Sequence, residues 1–495
     1  MNTGGAAEYW LTRWLIQRSL AALYLVAFVV ALNQFRPLLG ERGLLPTPLF
    51  LSRVSFWNAP GLFQLYYSDR AAAVLAWIGA LLSLGAVSGL SEMYGTPVSA
   101  AVWALLWLLY ISFVNVGQTF YSFGWESLLL ETGFLAIFLG APHTAPPTVV
   151  IWLMRWVLFR LMFGAGLIKI RGDSCWRDLT CLAYHYETQP IPNALSWYFY
   201  RLPMWIHKVG VLFNHFVELV VPFGYLTPIP MVRYAAGALT IVFQGMLILS
   251  GNLSWLNYLT IVLALACFDD ALLSHILPLK AALVAPRSPV HDVTLVGLAL
   301  GVAALSIRPV VNMLSEQQLM NASFEPFHLV NTYGAFGSVS RERDEVVIEG
   351  TSDSTIGPAT QWREYQFRAK PGDPNRRPVL VSPYHLRLDW LMWFAALSPQ
   401  YAEPWLPRLA AKLLAGDAAT LSLLASNPFP GDPPRQVRAR MYRYRYTTAE
   451  EHRRTGAWWS RALVAEYLPP LSLSDSAFVG ALERQGWETP ALPKR

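Results

Sequence analysis

The chain has 495 residues, 54% of them hydrophobic and only 14% charged, with 20 tryptophans and a formal net charge of +6; its mean hydropathy is +0.33. That balance is too apolar for a water-soluble globular protein of this length, so the chain reads as an integral membrane protein. The positive charge does not point to nucleic acid, because no basic helix or repeated basic motif carries it and the arginines are spread over apolar stretches and a separate C-terminal region.

The opening MNTGGAAEYWLTRW lacks a basic leader followed by a small-residue cleavage site, so the first apolar helix is expected to be retained. A bilayer crossing takes about 17 to 25 mostly apolar residues, and the hydropathy pattern predicts about nine of them. They fall near 13–32, 71–90, 98–116, 120–140, 148–168, 205–225, 231–250, 253–270 and 291–309. Proline and glycine punctuate the gaps, at Pro46 and Pro48, Pro97, Pro142, Pro228 and Pro286 among others. Residues 1–310 are thus expected to form a multi-pass helical membrane domain with polar loops at 33–70 and 169–203.

After Pro309 the texture changes. Alternation around Val346 to Ile348 and at Trp362, Tyr365 and Phe367, separated by turn-rich segments, predicts a β-rich α+β extramembrane domain over 311–495 with C-terminal helical segments. LRLDWLMWFAAL from Leu386 is expected to pack on the strands, lying on the membrane surface being the alternative, and MYRYRYTT from Met441 alternates as a half-exposed strand does.

An odd number of crossings puts both polar loops and the C-terminal domain on one membrane face. Arg36, Arg42, Arg53 and Arg70 in one loop, with Lys169, Arg171, Arg177 and Arg201 in the other, would make that face cytoplasmic by the positive-inside tendency. Cys175 and Cys181 argue the other way: their spacing can close a small disulfide ring, which suits an oxidising lumen or periplasm, although two unpaired thiols fit the same spacing. Cys267, within an apolar helix, reads as packing.

Charges inside a span cost roughly 2.5 to 3.5 kcal/mol each on insertion scales, so those in RWVLFRLMFGAGLIKIRGDSCWRDLTCLAYHYETQPIPN need partners or a cavity. Counting depth on the antiparallel pair 120–140 and 148–168 places Glu126 near Arg160 and Glu131 near Arg155, a buried charge network that relieves this cost. Lys169 follows Gly164 and Gly166, which permit close helix approach. It either snorkels to headgroups or is a desolvated base, depending on whether His185, Tyr186 and Glu187 fold back over it. His215 and Glu218, beside Asn214 in FNHFVELVVPF, share a helical face and could relay a proton. One His and one Glu are too few ligands to claim a metal, and no metal or cofactor is expected. Gln244 and Asn257 read as polar glue between helices, and the sequons at Asn252 and Asn321 as chance motifs. No GxSxG elbow, P-loop, HExxH or Cys-x-x-Cys appears.

Several long stretches, GQTFYSFGWESLLLETGFLAIFL, GDSCWRDLTCLAYHYETQPIPNALSWYFYRLP, FNHFVELVVPF, LVNTYGAFGSVSRERDEVVIEGT and SPYHLRLDWLMWFAAL among them, resemble the lipase maturation factor family in the same order from Tyr9 past Phe394. The resemblance implies a multi-pass membrane protein with a lumenal C-terminal domain. In animals the family is associated with folding and assembly of secreted dimeric lipases in the endoplasmic reticulum; a bacterial relative would sit in the inner membrane with that domain periplasmic. A fainter resemblance, AGLIK ending a helix before an acidic turn and Trp, is to the membrane domain of vitamin K-dependent gamma-carboxylase, whose catalytic lysine Lys169 would match. The chain departs from that enzyme immediately afterwards, at RGDSCWRDLTC, so carboxylation is not carried over.

Two functions therefore fit the sequence. One is an assembly factor that presents the C-terminal domain and loop 169–203 to a secreted, lipase-like client, with the bilayer as its other partner. The alternative is an intramembrane enzyme using Lys169 as base, with His215 and Glu218 beside it.

Overall fold

The computed structural model describes residues 8–279 and 284–488. Among the described residues, seven helices are long and apolar enough to cross a membrane: Trp10–Leu39, Asp69–Ser88, Thr96–Val116, Thr148–Arg171, Met204–Tyr225, Pro230–Ser250 and Pro289–Leu314. The pair Leu256–Cys267 and Asp270–Ile276, bent by 115° between them, is an eighth apolar element with the form of a broken span or a re-entrant loop. Local chemistry sets several of these ends. The Ser68 and Ser288 hydroxyls accept from the third backbone N–H beyond them and start the helices that follow. Gly89, at φ 86°, closes the Asp69–Ser88 helix.

The stretch 120–140 departs from its expected form. It makes a helix of only 13 residues, Gly124–Ala136, and nearly every residue of that helix is buried. The chain still traverses the bundle there. The Trp125 carbonyl accepts from Trp255 Nε1 (3.1 Å) at one end, and the Gly140 carbonyl accepts from Gln17 Nε2 (3.0 Å) beyond the other. Irregular backbone is tolerated at membrane depth where protein side chains satisfy it, and Gln17 and Arg13 do so here.

Burial ranks the spans. Only Leu295, Leu298 and Val302 are buried in Pro289–Leu305, while Val290, Val293, Val296 and Leu300 are exposed on what is therefore its lipid face. The Thr148–Arg171 helix is the central one, with 72% of its apolar stretch buried.

In the C-terminal region four strands form one antiparallel sheet in the order β2-β1-β3-β4, with β1 Arg343–Thr351, β2 Arg363–Glu364, β3 Gln436–Tyr446 and β4 Trp459–Leu471. The strand expected near Trp362 to Phe367 shrinks to two residues, and Tyr365 and Phe367 enter the core as irregular chain. Helix Arg387–Leu397 is buried over most of its length and packs on β1. It is an interior element, not a surface one.

The first polar loop is joined to the C-terminal region. Trp487 Nε1 donates to the Gly43 carbonyl (3.0 Å), and Arg408 donates to Leu44 (3.0 Å). Asn252 is 1% exposed and holds the backbone of Val379, Val381 and Ser382, so its sequon is engaged in the fold.

Candidate functional site at the membrane boundary

Lys169 lies at the C-terminal end of the central helix, and the next span meets it through a local distortion. Pro222 has no N–H to donate into the preceding turn, and the helix opens into a π-helical turn over Phe216–Val220. Gly166 lets the two elements touch: a Cβ there would lie 2.6 Å from Leu219 Cδ2 and 3.0 Å from Glu218 Cβ. Lys169 Nζ consequently donates to Glu218 Oε1 at 2.5 Å and to Asn214 Oδ1 at 3.0 Å, and lies 5.0 Å from the centre of the Trp176 ring. Asn214 Nδ2 donates to the other Glu218 oxygen at 2.9 Å. Lys169 is 5% exposed, so it turns inward to this trio and does not snorkel to headgroups. Gly166→Val is expected to lower stability by about 1–3 kcal/mol through overpacking against Glu218 and Leu219, read as a lower thermal midpoint in lipid nanodiscs; an unchanged midpoint would show that the contact yields freely.

His215 does not join Glu218 as the helical face suggested. Its Nε2 faces the Trp176 carbonyl at 2.9 Å, and Asn214, four residues before Glu218, takes the place beside it. The loop that follows Lys169 folds back over it in part. His185 and Tyr186 line the same cavity as Lys169, whereas Glu187 points to the sheet and accepts from the Tyr446 N–H at 2.6 Å. Burial raises the Glu187 carboxyl above its usual range. Cys175 and Cys181 are disulfide-bonded and buried, with Cα atoms 4.8 Å apart, and anchor the turn that carries Trp176.

Burial, with help from the Lys169 charge, lowers the His185 pKa to about 4, so the ring is neutral at pH 7. Its unfolded value is about 6.5. Between these values the unfolded chain binds the extra proton, so this contribution is complete above about pH 6.5 and is lost as pH falls through 4. Relative to His185→Gln, the wild type is expected to lose about 3 kcal/mol over that interval. Parallel stability curves for the two proteins would contradict it.

The intramembrane charges are paired one turn away from the expected register. Arg160, not Arg155, meets Glu131, and donates as well to the Asn331 carbonyl at 2.5 Å. Glu131 also accepts from the Asn331 backbone (3.1 Å), the Asn331 side chain (3.0 Å) and the Tyr333 hydroxyl (2.6 Å). Glu126 meets Arg387 of the C-terminal region (2.8 Å) and the Tyr110 hydroxyl. Arg155 has no acid: it donates to the Ala266 carbonyl (2.7 Å) and the Tyr9 hydroxyl (3.1 Å) beneath the Trp152 ring. Asn331, Tyr333 and Arg387 were not singled out from charge and spacing, though the LVNTYGAF and SPYHLRLDW stretches that contain them are among the distinctive motifs.

A cavity of about 670 Å³ reaches this site, bounded by the central helix, the π-distorted span, the Pro230–Ser250 and Leu256–Ala264 helices, and the C-terminal region. Gln244 and Asn257, expected as interhelical glue, face it: among the described residues, Gln244 Nε2 touches only the Met162 sulfur (3.5 Å), and the Asn257 side chain has no hydrogen-bond partner. Among the described residues, no group of three or more His, Cys, Asp or Glu is placed to hold a metal ion.

The arrangement defines a class: a multi-pass membrane protein whose buried charges are completed by residues of its own C-terminal region. Sequence profiles of the lipase maturation factor transmembrane domain and of the lipase maturation factor C-terminal domain match residues 11–275 and 329–469. The chain is 46% identical to lipase maturation factor 1 of Mus musculus, over 100% of this chain and 92% of that protein, and 49% identical to that of Bos taurus, over 95% and 90%. It is 30% identical to lipase maturation factor 2 of Homo sapiens, over 98% of this chain and 86% of that protein. No solved structure matches. The chain belongs to the lipase maturation factor family.

Proposed function

We propose that the protein is a membrane-anchored assembly factor that assists folding of a secreted, lipase-like client at the face shared by loop 169–203 and the C-terminal region. The observation that carries this reading is the seam between them, which makes one continuous surface. Arg343 of β1 donates to the carbonyls of Glu187 (2.8 Å), Gln189 (2.5 Å) and Pro190 (3.0 Å). Trp197 and Arg201 donate to the Thr447 carbonyl at 3.1 and 2.8 Å, and Asp173 pairs with Arg341 at 2.7 Å. The names of its relatives support a lipase as the client class. Lys169 already shares its ammonium between Glu218 and Asn214, which supports an architectural part for it; the carboxylase-like alternative has no observation in its favour.

In cells depleted of their own maturation factors, expressing this chain should raise the activity per molecule of a co-expressed secreted dimeric lipase; unchanged specific activity overturns the reading. Deleting residues 311–495 is a poor version of the test, because it would strip Glu126 of Arg387 and Glu131 of Asn331 and Tyr333.

The same reading makes the shared face lumenal or periplasmic. The disulfide supports this. The basic residues that argue for a cytoplasmic face are largely occupied: Arg171 binds the Met313 carbonyl and Gln318, Arg177 the Ile170 carbonyl, and Arg36 pairs with Asp69. An impermeant maleimide should label Ser354→Cys, in the exposed turn after β1, from the non-cytoplasmic side of intact membranes. Labelling only after permeabilisation would reverse the orientation.

A further inference from the structure

Assisting a client on the extramembrane face does not require a cavity within the membrane domain, yet one of about 670 Å³ is present, within the range of about 300–1,000 Å³ in which proteins enclose small ligands. Its walls are largely apolar, with Leu161, Met162, Phe213, Phe243, Leu253 and Trp390 among them. Met320, Leu397 and Tyr401 also line it and are about half exposed, giving an apolar stretch to a mouth that also carries the exposed Arg171, Glu316 and Gln317. That apolar stretch gives a hydrocarbon chain a way in from the lipid boundary.

Among the described residues, three polar side chains of the wall lack full partners. Asn257 is 2% exposed and His185 6% exposed, and neither side chain makes a hydrogen bond, while Gln244, 4% exposed, gives its N–H only to the Met162 sulfur. A buried amide left unpaired is costly, and these groups face the cavity. Together they offer both donors and acceptors, the neutral His185 ring supplying one of each. Charge narrows the ligand further. Lys169 and Arg171 line the cavity with Glu218 and Glu316, two cations and two anions, so the wall gives an anionic head no net attraction.

We propose that this cavity binds an uncharged single-chain lipid whose head carries ester and hydroxyl groups, with the head at Asn257, Gln244 and His185 and the chain among the apolar walls. The site is independent of whether the client is a lipase.

Monoolein is the probe. The full-length protein in phosphatidylcholine nanodiscs is irradiated with a monoolein analogue bearing a diazirine in its chain, and adducts are mapped by mass spectrometry. Adducts should concentrate in 161–168, 213–218 and 243–257 and be displaced by unlabelled monoolein, but not by equal oleate or lysophosphatidylcholine. Asn257→Leu should weaken displacement about tenfold, the loss of one buried hydrogen bond. Ala165→Phe, which projects a ring into the cavity, should abolish the adducts; if it does not fold, Asn257→Leu decides. Undisplaced adducts spread over lipid-facing helices such as Pro289–Leu305, stronger displacement by oleate, or wild-type behaviour of Asn257→Leu would each overturn the assignment.

Discussion

Replacing Arg387 by alanine is expected to destabilise the protein by about 3–5 kcal/mol, because it leaves a buried carboxylate without its cation. Both side chains of the Arg387–Glu126 pair are 0% exposed, and the guanidinium also donates to the Phe120 carbonyl (2.7 Å) and stacks 3.3 Å from the centre of the Tyr121 ring. Against a typical total stability of about 5–15 kcal/mol this is a large fraction, and the amount of folded protein in membranes should fall several-fold. The thermal midpoint in nanodiscs reads the same loss. A second variant separates the pair from the packing: Arg387→Met combined with Glu126→Leu should recover most of the stability, since apolar residues of similar volume fill the site without a stranded charge. A wild-type midpoint for Arg387→Ala would mean that Glu126 is neutral or rehydrated.

Arg343→Ala is expected to act on the seam with similar force. Its guanidinium holds three loop carbonyls and Glu345 Oε1, and its side chain is 1% exposed. Removing it leaves the loop carbonyls unsatisfied and leaves Glu345 with Lys370 as its remaining cation. The loss should again be about 3–5 kcal/mol, with a local signature that Arg387→Ala lacks: proteolysis within 182–203 should accelerate before the membrane helices unfold. Equal cleavage in wild type and variant would show that the loop is held by Trp197 and Glu187 alone.

The spans were legible because burial in lipid demands long apolar runs, and seven of them lie within a few residues of where hydropathy places them. The run at 120–140 shows the limit of that signal. Hydropathy reports an apolar environment, and the apolar residues after Ala136 meet it without remaining helical, because Gln17 and Arg13 satisfy the backbone at Gly140 and Leu139. The charges illustrate a second limit. That Arg160 must meet an acid follows from its cost in a membrane; which acid depends on the relative height of two helices, and an offset of about one turn moves Glu131 into the place expected for Glu126. Arg387 was out of reach of any such count, 261 positions from its partner. At Lys169 the residues were visible but the geometry was not: helical periodicity offers Glu218 both Asn214 and His215 as neighbours, and only the packing of Trp176 shows that His215 goes to a carbonyl and Asn214 to the carboxylate.

The pairing of Glu126 with Arg387 also sets a clock on biosynthesis. Glu126 enters the membrane early, with the Tyr110 hydroxyl as a neighbour, but its cation lies 261 residues later in the message. At about 5–20 residues per second the ribosome supplies that arginine roughly 10–50 s afterwards. For that interval the bundle holds Glu126 without its native counter-charge. A chain truncated before Arg387 never leaves that state, so Glu126 gains its native counter-charge only in chains that extend past Arg387.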